Sequence, residues 1–104
     1  MSRCRSCEPV TQEVRIAADL LGRRWLIHVI VAAHSGAVSF NEFGASVVGI
    51  SPRMLASRLR DLERAGLVER VVIPDSPPGV EYRLTARGHA LGPVVEALRR
   101  YAAA

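Results

Sequence analysis

The strongest chemical signal lies between Arg53 and Arg64. At about 100° per residue, Arg53, Ser57, Arg60 and Arg64 fall on one side of a helix, and Leu55, Leu59 and Leu62 on the other. The leucine stripe would seat this helix on a core, leaving the opposite stripe to present guanidinium groups to solvent. Guanidinium bonds phosphate oxygens in a fork and takes the O6 and N7 acceptors of guanine two at a time. Arg53, Met54 and Ser57, near the helix start, are placed for base edges, and Arg58 for an edge or a neighbouring phosphate. Ser51 and the helix N-terminus suit a phosphate. A charged stripe can also be an ordinary solvated face, and Asp61, Glu63 and Glu69 partly offset this one, so the surrounding elements must decide between the two.

The other reactive side chains say less. Cys4 and Cys7 form a C-x-x-C pair beside Arg3 and Arg5, whose charge favours thiolate. One pair supplies two ligands of tetrahedral zinc, and no second pair exists to complete the set unless a dimer shares it, so no metal site is expected. A redox switch and two reduced thiols without a role both stay open. The pair does not open a helix after a strand, as redox enzymes require. No phosphate-cradling glycine loop, no nucleophile with its base and no residues for a substrate domain are found, so neither an enzyme nor a cofactor is expected. His28 reads as a core residue, and His34 and His89 as turn and surface positions.

The elements that must hold the stripe follow from periodicity and punctuation. Residues 1–10 have little pattern and read as an N-terminal arm; residues 11–104 read as one domain. Val14, Ala17, Ala18 and Leu21 recur at helical spacing before Gly22 ends the helix. A second helix, from about Arg24 to Ala33, is too continuously apolar to leave a wide polar face. His34-Ser35-Gly36 turns, Val38 offers a short strand, and Ser39 with Glu42 forms a capping-box pattern for a third, short helix from Phe40. Val47, Val48 and Ile50 read as packing residues of the next turn. Ser51-Pro52 is the clearest helix start, and this fourth helix runs to about Ala65, with Gly66 as its stop. Strands at 67–73 and 80–84 flank the proline-rich loop 74–79. Thr85 then caps a last helix in which Leu91, Val94, Val95 and Leu98 share a face and Pro93 introduces a kink.

The fold class is therefore mainly α with a small β-hairpin wing: a winged helix-turn-helix, in which one helix enters the major groove and the hairpin lies beside it. Composition agrees. The 104 residues are 49% hydrophobic, which excludes disorder, and the net charge of +4 favours a polyanionic partner. All 14 basic residues are arginine, a choice that genome composition explains more simply than base reading does. No apolar run approaches the roughly 20 residues of a membrane span and no secretory signal opens the chain, so a cytoplasmic protein without membrane contact is expected.

The segments Asp19 to Trp25, Ser39 to Phe43, Gly49 to Glu63, Gly66 to Val68 and Pro77 to Gly88 resemble the HxlR-type regulators, relatives of the MarR-type winged-helix proteins. A tryptophan after the first helix, the F-N-E-F step and the P-P-x-V-E-Y-x-L-T wing, in this order and spacing, carry the resemblance. It implies a homodimer held by the first and last helices, binding double-stranded DNA at a pseudo-palindrome. DNA-facing positions would be Ser51, Arg53, Met54, Ser57 and Arg58, with Arg60 and Arg64 on the backbone. Many family members carry a basic residue at the wing tip where this chain has Gly79, so Arg70 and Arg83 must supply any wing charge. Many also carry a sensing cysteine closer to the tryptophan, where Gln12 stands here. Whether a small-molecule effector exists stays open. A winged-helix module that binds protein through the fourth helix is the alternative, and the arginine stripe argues against it.

Overall fold

Side-chain caps fix where the helices begin. The computed structural model describes residues 7–104, so Cys4 and most of the arm lie outside the described residues. Thr11 accepts from the Val14 N–H and starts α1 (Gln12–Leu21); α2 (Leu26–His34) follows after a tight joint. Ser39 opens α3 (Phe40–Ser46), where its hydroxyl accepts from the Glu42 N–H while the Glu42 carboxylate accepts from the N–H groups of Ser39 and Val38 at 2.9 and 3.1 Å. Those bonds, the Ser39 N–H foremost, hold the Glu42 carboxyl below the ordinary range of a glutamate. Ser51 starts α4 (Pro52–Arg64), accepting from the Met54 N–H at 3.1 Å, and Gly66 leaves the helix at φ +76°, a left-handed conformation that suits glycine.

α2 runs through the middle of the core. Its Leu26, Val29, Ile30, Ala32 and Ala33 meet Phe43 of α3, Leu55, Leu59 and Leu62 of α4, and Leu67, Val68 and Val95. The chain then forms an antiparallel hairpin of β1 (Val68–Ile73) and β2 (Gly79–Leu84), in register from Val68 opposite Leu84 to Ile73 opposite Gly79. The short strand expected at Val38 is a single bridge: Ser39 pairs with Glu81, and the Tyr82 N–H donates to the Val38 carbonyl at 2.7 Å. That bridge ties the wing to the start of α3.

Four expectations are corrected. The single kinked last helix is two helices, α5 (Ala86–His89) and α6 (Gly92–Ala103), with Pro93 in the first turn of α6. Proline at 93 can neither donate to the carbonyl of His89 nor avoid its ring meeting that carbonyl, whereas in a first turn the missing donor costs nothing. Gly88 lets α5 lie against the wing base, since a Cβ there would overlap the carbonyl oxygen of Leu67. His28 is exposed, because the buried positions 26, 29, 30 and 33 put it on the far side of α2, and its ring packs 4.9 Å from that of Trp25. His34, expected in a turn, is the last residue of α2, half-buried, and donates from Nε2 to the Gly88 carbonyl at 3.1 Å. Val48 is 86% exposed and packs on nothing in the core.

The two end helices are thinly attached. No residue of α1 is buried; Leu20 and Leu21 touch the core from its last turn, while Val14 and Ile16 face solvent. On α6 only Val95 is buried, and Val94, Leu98 and Tyr101 are exposed. No helix among the described residues is long and apolar enough to cross a membrane.

Candidate nucleic-acid interface

α4 is amphipathic in the manner its sequence predicts. Leu55, Leu59 and Leu62 are essentially inaccessible to solvent, and Arg53, Arg60 and Arg64 stand exposed on the opposite side. Met54 and Ser57 are half-buried, and Ser51 is exposed at the cap. A helix of 13 residues is about 20 Å long, so this basic row can follow a groove over several base pairs. α3 supports it from behind through buried Phe43. The short α3, the turn 47–51 and α4 thus form a helix-turn-helix with α4 outermost.

Arg58 stands apart from the other arginines. Its side chain is only 16% exposed, its Nη2 donates to Ser57 Oγ at 3.2 Å, and its Nε lies 3.3 Å from Asp61 Oδ2. The other oxygen of Asp61 lies 2.7 Å from Nη1 of Arg23, in the joint between α1 and α2. Sequence reasoning treated Asp61 as a charge offsetting the stripe; it is a buried carboxylate between two guanidinium groups. Its position one turn after Arg58 was readable, but its burial depends on Arg23, 38 residues earlier.

The wing carries less positive charge than its arginines suggest. Arg70 is exposed on β1. Arg83 donates from Nε and Nη2 to Glu81 Oε1 at 2.9 and 2.7 Å, which compensates its charge. Gly79 sits in the ladder opposite Ile73, so the tip consists of residues 74–78, where Asp75 is the one charged side chain. The structure therefore gathers Ser51, Arg53, Met54, Ser57, Arg60 and Arg64 on the outer side of one helix, with Arg58 at its flank and Arg70 and Arg83 on the separate hairpin. Cys7 is exposed, with a left-handed backbone at φ 48°. Among the described residues no group of three or more His, Cys, Asp or Glu side chains could hold a metal ion.

A helix-turn-helix with a basic outer helix, followed by a two-stranded hairpin anchored to its base, is a winged helix-turn-helix. The family model described as HxlR-like helix-turn-helix matches residues 20–104, and the chain belongs to that family of DNA-binding transcriptional regulators. It is 37% identical over 86 residues to the HTH-type transcriptional regulator YvaP of Bacillus subtilis, covering 83% of this chain and 80% of YvaP. It is 40% identical over 89 residues to the HTH-type transcriptional regulator YodB of the same species, covering 83% of this chain and 77% of YodB. The solved structure of reduced YodB superposes with a TM-score of 0.79 at 36% identity, covering 90% of this chain and 92% of that one. The redox regulator HypR in its reduced form superposes with a TM-score of 0.77, also at 36% identity, covering 86% of this chain and 89% of that one.

Proposed function

We propose that this chain controls transcription by binding, as a homodimer, a pseudo-palindromic operator whose half-sites are read by α4. The observation that carries this reading is the outer row of α4, exposed arginines set opposite fully buried leucines. Arg53, Met54 and Ser57 meet base edges, Arg58 an edge or phosphate, Arg60 and Arg64 the backbone, and Ser51 a phosphate at the helix start. Arg70 and Arg83 give the wing a lesser share of the backbone contacts. The two-fold symmetry of the dimer calls for half-site centres about 34 Å, one helical turn, apart or a multiple of that.

Dimerisation is supported by what α1 and α6 leave uncovered. Val14 is 55% and Tyr101 82% exposed, and Ile16, Val94 and Leu98 extend the apolar surface. A small domain that exposes this much apolar surface on its two end helices gains by burying it against a second copy. The net charge of +4 per chain then doubles on the DNA-bound assembly.

The arm adds a redox response through Cys4 and Cys7. Support comes from the exposure of Cys7 and from HypR, a redox regulator solved in reduced and oxidised forms, and YodB, solved after diamide treatment. The test is binding to the DNA upstream of the chain's own gene against a scrambled duplex, titrated with salt, with and without reductant. Tight, salt-sensitive binding to the upstream DNA alone is expected, with a change on oxidation that Cys4→Ser and Cys7→Ser remove. Equal binding to both duplexes in both redox states would instead favour a protein partner for α4.

A further inference from the structure

Asp61 is an anion buried on the helix that meets a polyanion. It is the charged member of the otherwise apolar set of buried residues, with 10% of its side chain exposed. Burying a carboxylate is costly unless opposite charge lies at contact distance. The two arginines that supply it are unequal. Arg23 lies at 2.7 Å from Oδ1, whereas Arg58 Nε and Asp61 Oδ2, 3.3 Å apart and both buried, make no hydrogen bond to each other or to anything else among the described residues. The remainder of the Arg58 guanidinium points the other way, its Nη2 donating to Ser57 Oγ on the outer side of α4. Arg58 therefore spans from a buried anion to the row that faces DNA.

The tighter partner belongs to the joint between α1 and α2. That joint is closely specified: Trp25 adopts a left-handed backbone at φ 71°, unusual for so bulky a residue, and the Arg24 guanidinium lies 5.8 Å over its ring. Arg23, two residues beyond the end of α1, is the member of the cluster nearest that helix in the chain. Loosening the Oδ1 contact leaves Asp61 short of positive charge, and the nearest group able to supply it is Arg58.

We propose that Asp61 is a positioning residue: it holds Arg58 along α4 beside Ser57 and, through Arg23, makes the presentation of Arg58 to DNA depend on the α1–α2 joint. This rests on the reading of α4 as the DNA-contacting helix. No other element ties the end helix α1 to the reading surface by charge among the described residues.

The experiment measures the ratio of affinities for the upstream and scrambled duplexes at fixed salt. Asp61→Asn removes the charge at constant size, and Arg23→Gln removes the partner without touching α4. Both are expected to lower the ratio by about tenfold, within the range a base-reading arginine contributes. Asp61→Asn should also tighten binding to the scrambled duplex, since the helix that meets the polyanion loses a negative charge. Neither change should lower the ratio further in an Arg58→Ala background, and Arg23→Lys should restore it. A purely structural role lowers the melting temperature and leaves the ratio at its wild-type value. Folded variants that keep the wild-type ratio overturn the proposal. If Asp61→Asn does not fold, half-exposed Arg23 decides the matter alone. A wild-type chain that binds both duplexes equally overturns the DNA reading and this role together, whereas wild-type discrimination with unaltered variants overturns this role alone.

Discussion

α1 and α4 are both amphipathic, yet their apolar faces have different fates. α4 buries Leu55, Leu59 and Leu62 within the subunit and turns its arginines outward. α1 buries nothing; it is anchored by Leu20 and Leu21 and leaves Val14 and Ile16 open. An apolar face at helical spacing reports that a surface must be covered, and it does not report by what. In α4 the cover is α2 and α3, so its polar face is the one that acts. α1 has no such cover within the subunit, so its apolar face is the one the proposed dimer would bury.

The largest expected effect breaks the inner side of this comparison. Leu59→Ala removes a fully buried side chain from the centre of α4 and should cost about 2–5 kcal/mol of unfolding free energy in urea titration. Val14→Asp on α1 should leave the subunit fold in place by far-UV circular dichroism. It should, however, shift sedimentation from dimer to monomer, and operator affinity should fall about a hundredfold as the second half-site contact is lost. Equal destabilisation by the two changes would erase the distinction between the helices. Next comes Arg53→Ala, which should cost about 1–3 kcal/mol of specific binding and relax preference at one base pair. Arg64→Ala should weaken all duplexes alike and flatten the salt dependence.

The smallest effects concern the step that supports α4. Ser39→Ala removes the cap of α3 and should lower stability by about 1 kcal/mol without altering operator sequence preference. Glu42 completes the same cap, and its carboxyl sits lower in the folded chain than in the unfolded one. Its contribution is therefore complete above the ordinary glutamate value and is lost as pH falls through the lowered folded value. Glu42→Gln should lower stability near neutrality, where the charged cap is complete, and flatten its fall through that acidic window.

How much of this was legible in advance depended on whether the determining partner lay nearby in the chain. Ser51-Pro52, the leucine stripe and Ser39 with Glu42 act within one or two helical turns, and each stands where the sequence puts it. Pro93 was recognised, but as a kink; the break became visible only with α5 packed under Leu67, which requires Gly88. His28 and His34 were misplaced because the side of α2 that faces the core is set by α3, α4 and α6. The Arg23–Asp61–Arg58 cluster was illegible, since local charge counting sees Asp61 only as a neighbour of arginines on its own helix. Periodicity alone leaves the outward surfaces as solvated faces, and only the resemblance to HxlR-type regulators assigns them expected roles.

Methylation interference at guanine N7 asks whether α4 reads DNA in the major groove, because that atom lies on the groove floor. A reading α4 gives two symmetric sets of interfering guanines about one helical turn apart, with at least one position in each set losing its effect in Arg53→Ala. Binding that is indifferent to N7 methylation, with Arg53→Ala binding as the wild type does, would contradict it.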